Sequence, residues 1–181
     1  MFINICGQYI AYIFITKVDI KSLTPHKQRS KSSPFRQGYY TPVNKEKYIG
    51  GYPIIFRSSW EYKMCKILDE NPRVIRWGSE CIKVKYYSCL DNKEHEYFPD
   101  FFFVYNDGGV EKKIVVEVKP KKHLTKPEKP KKITEKSLAN YQRDCTTYVK
   151  NMEKARACKF YCDQNMMEYK FVTEESNLPE L

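Results

Sequence analysis

A chain of 181 residues suffices for one domain with tails, and 41% hydrophobic residues exclude a disordered protein. Its 32 Lys+Arg against 22 Asp+Glu leave a formal net charge of +10, which points to a polyanionic partner: nucleic acid first, an anionic membrane second. Seven cysteines, odd in number and irregularly spaced, exclude a disulfide framework and fit a reducing compartment; Cys158 and Cys162 have no second Cys/His pair at zinc spacing.

The first fifteen residues are apolar but broken by Asn4, Gly7 and Gln8. They lack a basic start and a small-residue cleavage site, and they fall short of the ~20 apolar residues of a membrane span. They read as an extra strand or helix, or as a misassigned upstream start. Residues 21–52 read as an irregular basic arm, with Pro25, Pro34, Pro42, Gly38, Gly50 and Gly51 among many Lys, Arg and Ser. Such composition does not bury a core of its own. A helix follows, capped by Ser58 or Ser59, with Trp60, Met64, Ile67 and Leu68 on one stripe, and Asn71-Pro72 ends it.

Ile82 to Tyr86 alternates with period two and predicts a strand. A turn at Asp91-Asn92 leads to a second strand near Tyr97 to Tyr105, and Asn106-Asp107-Gly108-Gly109 is a hairpin turn. The third strand runs from about Lys112 to Lys119. Residues 120–132, rich in Pro and Lys, predict a loop. A long helix starts near Thr134, with Leu138, Tyr141, Cys145, Tyr148, Met152, Ala155 and Cys162 recurring at three and four. Tyr169 to Val172 predicts a short last strand. The order α-β-β-β-α-β implies an α/β domain with a mixed sheet and helices packed on it.

Three charged residues interrupt the apolar strands. Asp100 stands in Phe98-Pro99-Asp100-Phe101-Phe102-Phe103, and Glu117 and Lys119 in Val115-Val116-Glu117-Val118-Lys119. A charge buried alone in such a strand is costly. Alternation puts Glu117 and Lys119 on one face. The hairpin turn near Gly108 sets Asp100 opposite or diagonal to Glu117, roughly 5 Å away at Cβ. Two carboxylates that close repel unless a cation lies between them, and Mg²⁺ accepts one or two carboxylates plus phosphate oxygens. Lys119 would orient a water or offset charge growing on the phosphorus group. The competing reading is a cross-strand salt bridge on a wet sheet face, and spacing alone does not separate the two.

Pro99-Asp100, a hairpin's worth of residues, then Glu117-Val118-Lys119, in this element order, resembles the PD-(D/E)XK nuclease superfamily and its restriction-endonuclease-like core. The runs Phe56-Arg57-Ser58-Ser59-Trp60-Glu61, Tyr97-Phe98-Pro99-Asp100-Phe101, Glu117-Val118-Lys119-Pro120-Lys121-Lys122, and Phe171-Val172-Thr173-Glu174 resemble the head completion nucleases of T-even-like tailed phages. So do Asn151 and Lys154 in the long helix. The Arg-Ser-x-x-Glu helix start also resembles transposon end-cleaving endonucleases. These resemblances span about residue 30 to residue 175. They imply an N-terminal extension over 1–29, a basic arm over 30–55, a nuclease domain over 56–175 and a tail over 176–181.

The resemblance further implies hydrolysis of DNA phosphodiesters to a 5′-phosphate and a 3′-hydroxyl. Asp100 and Glu117 would hold Mg²⁺ or Mn²⁺, Glu61 would join them, and Lys119 would stabilise the transition state. Glu61 has another reading, as the partner of Ser58 in a capping box. DNA contacts are expected from Lys121, Lys122 and Lys126, with Lys129, Lys131 and Lys132 in the same loop, from Arg57 and Asn151, and from Lys27, Arg29, Lys31 and Arg36 in the arm. His95 and His123 read as surface residues. No zinc finger or helix-turn-helix is recognisable, so the DNA contact is expected to be sequence-nonspecific. The implied role is processing of packaged DNA during virion assembly in the host cytoplasm, with retention in the virion a further option, and with phage head, portal or neck proteins as partners and no membrane. A structural head-completion protein that does not cut, and a site-specific endonuclease, are the alternatives.

Overall fold

The computed structural model describes residues 37–176. The extension over 1–29, the arm lysines and arginines up to Arg36, and the end of the tail lie outside the described residues. The described residues open with strand β1 (Gly38–Tyr40), which pairs antiparallel with β2 (Ile54–Phe56). Helix α1 (Ser59–Glu70) follows. The Ser58 hydroxyl accepts the Glu61 N–H at 3.1 Å, satisfying a donor that helix geometry leaves orphaned. Met64, Cys65 and Leu68 form the buried stripe, and Asn71 caps the end just before Pro72.

The central sheet has the order β3 (Val74–Ser79), β6 (Phe101–Asp107), β7 (Val110–Val118), β8 (Glu168–Val172). The first three strands are antiparallel, and β8 lies parallel to β7. A parallel neighbour requires a crossover, which α2 (Glu135–Gln164) supplies. Alternation assigns the two faces. Phe101, Phe103, Ile114, Val116 and Val118 pack with Trp77 and the stripe of α1. Phe102, Val104 and Val115 pack with Cys158 and Cys162 of α2. The result is a mixed α/β layer structure with an α-β-β-β-α-β core, as expected.

Two strand assignments need correction. Val84–Ser88 (β4) is a strand, but it pairs with Lys93–Tyr97 (β5) in a separate hairpin. The first strand of the sheet is β3, where a register irregularity between Val74 and Arg76 destroys the alternation. The β4–β5 hairpin is thus inserted into the core, between β3 and β6.

The expected arm is also less detached than its composition implies. Tyr40, Tyr48 and Ile54 belong to the core on the α1 side. Fully buried Asp69 of α1 holds this segment: its carboxylate accepts the Tyr40 hydroxyl at 2.9 Å and the N–H groups of Val43 and Asn44 at 2.7 and 3.0 Å. Three sparse apolar residues gave no period to read. Among the described residues, no helix is long and apolar enough to cross a membrane.

Candidate active site

Phe101 pairs with Val116, so Asp100, one residue earlier, falls opposite Glu117. Pro99 cannot donate to a ladder, and the chain bends between β5 and β6 at that point. The bend leaves Asp100 at the head of β6, where its carbonyl accepts the Glu80 N–H at 3.1 Å. The Val118 N–H donates to Asp100 Oδ2 at 2.7 Å. Glu117 shares the α2 side of β7 with Val115, and it is only 3% exposed. The Tyr97 hydroxyl donates to its Oε2 at 2.6 Å, and Lys119 Nζ lies 2.8 Å from its Oε1. The same ammonium is 3.9 Å from Asp100 Oδ2.

Lys119 pairs with both acids, as the salt-bridge reading expects, but around buried Glu117 and not on a wet face. Two carboxylates, one of them buried, share one directly bonded ammonium in a place of low dielectric, where holding both acids charged is costly. Burial, reinforced by the Glu117 charge, pushes the Asp100 carboxyl up to about 7 against the pull of Lys119 and the Val118 N–H. Burial alone would lower the Lys119 ammonium, but Asp100 and Glu117 outweigh it and raise its affinity for the proton. Carboxyls displaced in this way concentrate at functional sites. The donor set is hard oxygen, and a second cation would relieve the strain that one ammonium leaves, so the pair fits a divalent ion of the Mg²⁺ type.

Glu61 stands apart from this pair. Its carboxylate accepts the Ser58 hydroxyl at 2.9 Å and the Arg57 N–H at 2.7 Å. The capping contact differs from the expected one, since the backbone donor is Arg57 and not Ser58. Its charge still reaches Asp100 and Lys119. Among the described residues, no three or more His, Cys, Asp or Glu side chains converge as a metal cluster. Both Glu61 carboxylate oxygens already accept hydrogen bonds at the helix start.

The expected DNA contacts divide by their present partners. Arg57 is held by Glu80 through two contacts of 2.6 and 3.4 Å. Lys121 pairs with Glu175, and its N–H donates to Glu174 at 2.8 Å. Lys122 and Lys126 make no ion pair among the described residues. Asn151 donates to the His123 carbonyl at 3.1 Å and so ties α2 to the loop after Lys119. His95 sits near the surface against Asp91 at 2.8 Å.

Residue-by-residue reading of the sequence missed Tyr97 and Glu80. The first acts through a bend at Phe98-Pro99, and the second through a left-handed backbone, φ 48°, that nothing in its neighbours announces.

The core groups Asp100, Glu117 and Lys119 at the start of one hairpin strand and the end of the other, the arrangement that the resemblance to PD-(D/E)XK nucleases implies. The family model for the TnsA-like endonuclease N terminal matches residues 71–174, and the chain belongs to that family. It is also similar to the head completion nuclease of Enterobacteria phage T4, 30% identical over 139 residues, which is 76% of this chain and 91% of that protein. No solved structure gives a match.

Proposed function

We propose that the chain is a metal-dependent deoxyribonuclease that completes phage heads, processing packaged DNA so that a head can join its tail. The observation that carries the chemistry is the pair of carboxylates sharing a single ammonium, at 2.8 and 3.9 Å. Asp100 and Glu117 would hold Mg²⁺ or Mn²⁺. When bound, such an ion polarises a phosphate oxygen and makes a nearby water more acidic.

The chain's own residues do the rest. The Val118 N–H and the Tyr97 hydroxyl each fix one carboxylate oxygen, so the ligands are preorganised. Lys119, drawn to both acids, stands where it can offset charge developing on the phosphate oxygens. Lys122 and Lys126 would hold the DNA backbone and carry no base information. The head-completion role follows the T4 relative's name; processing of packaged DNA, portal or neck partners and assembly in the host are part of the proposal. A site-specific endonuclease is the second reading; the family match supports the endonuclease part of it.

Incubating the purified protein with plasmid and linear random-sequence DNA, in Mg²⁺ and in EDTA, tests both. Loss of DNA in Mg²⁺ alone, with unclustered ends, is expected. Cleavage undiminished by EDTA would remove the metal from the account, and ends clustered at one sequence would favour the site-specific reading.

A further inference from the structure

Lys154 lies on the inward stripe of α2, three residues after Asn151 and four before fully buried Cys158. A lysine in that position is costly unless its charge is used. Its Nζ stands 4.9 Å from the Tyr97 ring centroid and 5.9 Å from that of Tyr86. Among the described residues it makes no ion pair and no hydrogen bond. Tyr97 is the same residue whose hydroxyl holds Glu117. Burial lowers the Lys154 ammonium's hold on its proton, the Lys119 and Lys150 charges add to this, and the Glu117 and Asp100 carboxylates oppose it.

We propose, resting on the nuclease reading above, that Lys154 is a further catalytic residue: its ammonium donates to a non-bridging oxygen of the bound phosphodiester, from the α2 side of Glu117. Three features converge on this role. The two rings hold the ammonium in place while leaving its N–H bonds free, since a ring face is a charge partner and not a full acceptor. A half-buried cation beside a carboxylate pair is poised for an anion delivered to that pair. Lys119 is already committed to Glu117 and Asp100, so a phosphate entering the site meets one engaged cation and one disengaged one. The competing role is packing alone, in which the Lys154 stem merely covers Tyr97 and Tyr86.

Lys154→Met keeps the stem and removes the charge, and Lys154→Arg keeps the charge. Two readouts are needed. The first is affinity for random-sequence duplex in EDTA, by fluorescence anisotropy across a salt series. The second is the cleavage rate in Mg²⁺ at saturating DNA. The proposal predicts that Lys154→Met flattens the salt dependence by about one unit of slope. It also predicts a cleavage rate roughly 10²-fold lower, the scale of losing one preorganised donor. Lys154→Arg should restore the slope, and thermal melting of both variants should stay near wild type.

A Met variant that cuts at the wild-type rate with the wild-type slope overturns the proposal in favour of packing. So does a Met variant that melts early while Arg fails to restore the slope. If wild type cuts DNA and only the Lys154 variants behave as packing predicts, the nuclease reading stands without this residue. If wild type does not cut in Mg²⁺, both readings fail together.

Discussion

Replacing Tyr97 with Phe removes one oxygen atom and leaves the ring under Lys154. The lost contact is the 2.6 Å donation to Glu117 Oε2. Glu117 is 3% exposed, so water cannot freely replace the donor. A hydrogen bond to a charged group contributes about 1.5–3 kcal/mol net, and no packing cavity adds to it because the ring remains. For a chain of this size, ~2 kcal/mol corresponds to a melting shift of roughly 4–8 °C. The same contact orients a proposed metal ligand, and losing an outer-shell partner of that kind costs roughly 10–100-fold in metal affinity or activity. Thermal denaturation and Mn²⁺ titration calorimetry on wild type and Tyr97→Phe measure the two effects. A variant that melts as wild type and binds Mn²⁺ as tightly would refute the reasoning, because Glu117 would then not depend on Tyr97 for its position.

Three other outcomes are expected. Asp69→Ala strands the donors of Tyr40, Val43 and Asn44 and should cost about 3 kcal/mol or more, read by urea denaturation; an unchanged midpoint would mean that the 37–47 segment is not docked on α1. Glu80→Gln releases the Arg57 guanidinium and should tighten DNA binding in EDTA about 2–5-fold, the scale of an exposed ion pair, an effect that must vanish when Arg57→Ala is added. Among the loop lysines, Lys121→Ala should change DNA affinity least, since Glu175 already engages it. Lys122→Ala and Lys126→Ala should each lower the salt slope by about one in the same assay, and equal losses at all three would contradict this ordering.

The parts of the fold that depend on neighbours in sequence were legible. Ser58 and the Met64, Leu68 stripe mark α1, Thr134 marks the start of α2, and Asn106 to Gly109 closes the β6–β7 hairpin. The hairpin also fixes the pairing of Asp100 with Glu117, because register follows from the turn. Alternation over Ile82 to Tyr86 predicted a strand, found at Val84–Ser88, but could not say which sheet it joins. Lys93–Tyr97 contains too few apolar residues to announce itself, and β3 is obscured by its irregular register. The site divides in the same way. Asp100, Glu117 and Lys119 are brought together by one hairpin. Tyr97 reaches Glu117 through the turn out of β5, and Lys154 arrives from a helix 30 residues long, so both positions are set by tertiary packing.

The central claim is that DNA hydrolysis depends on the carboxylate pair at the end of the β6–β7 hairpin. The most direct measurement is the rate at which purified, folded Glu117→Ala degrades DNA in Mg²⁺, beside wild type. The account predicts cleavage by wild type and no detectable cleavage by the variant, with DNA binding in EDTA retained by both. Undiminished cleavage by Glu117→Ala would contradict it.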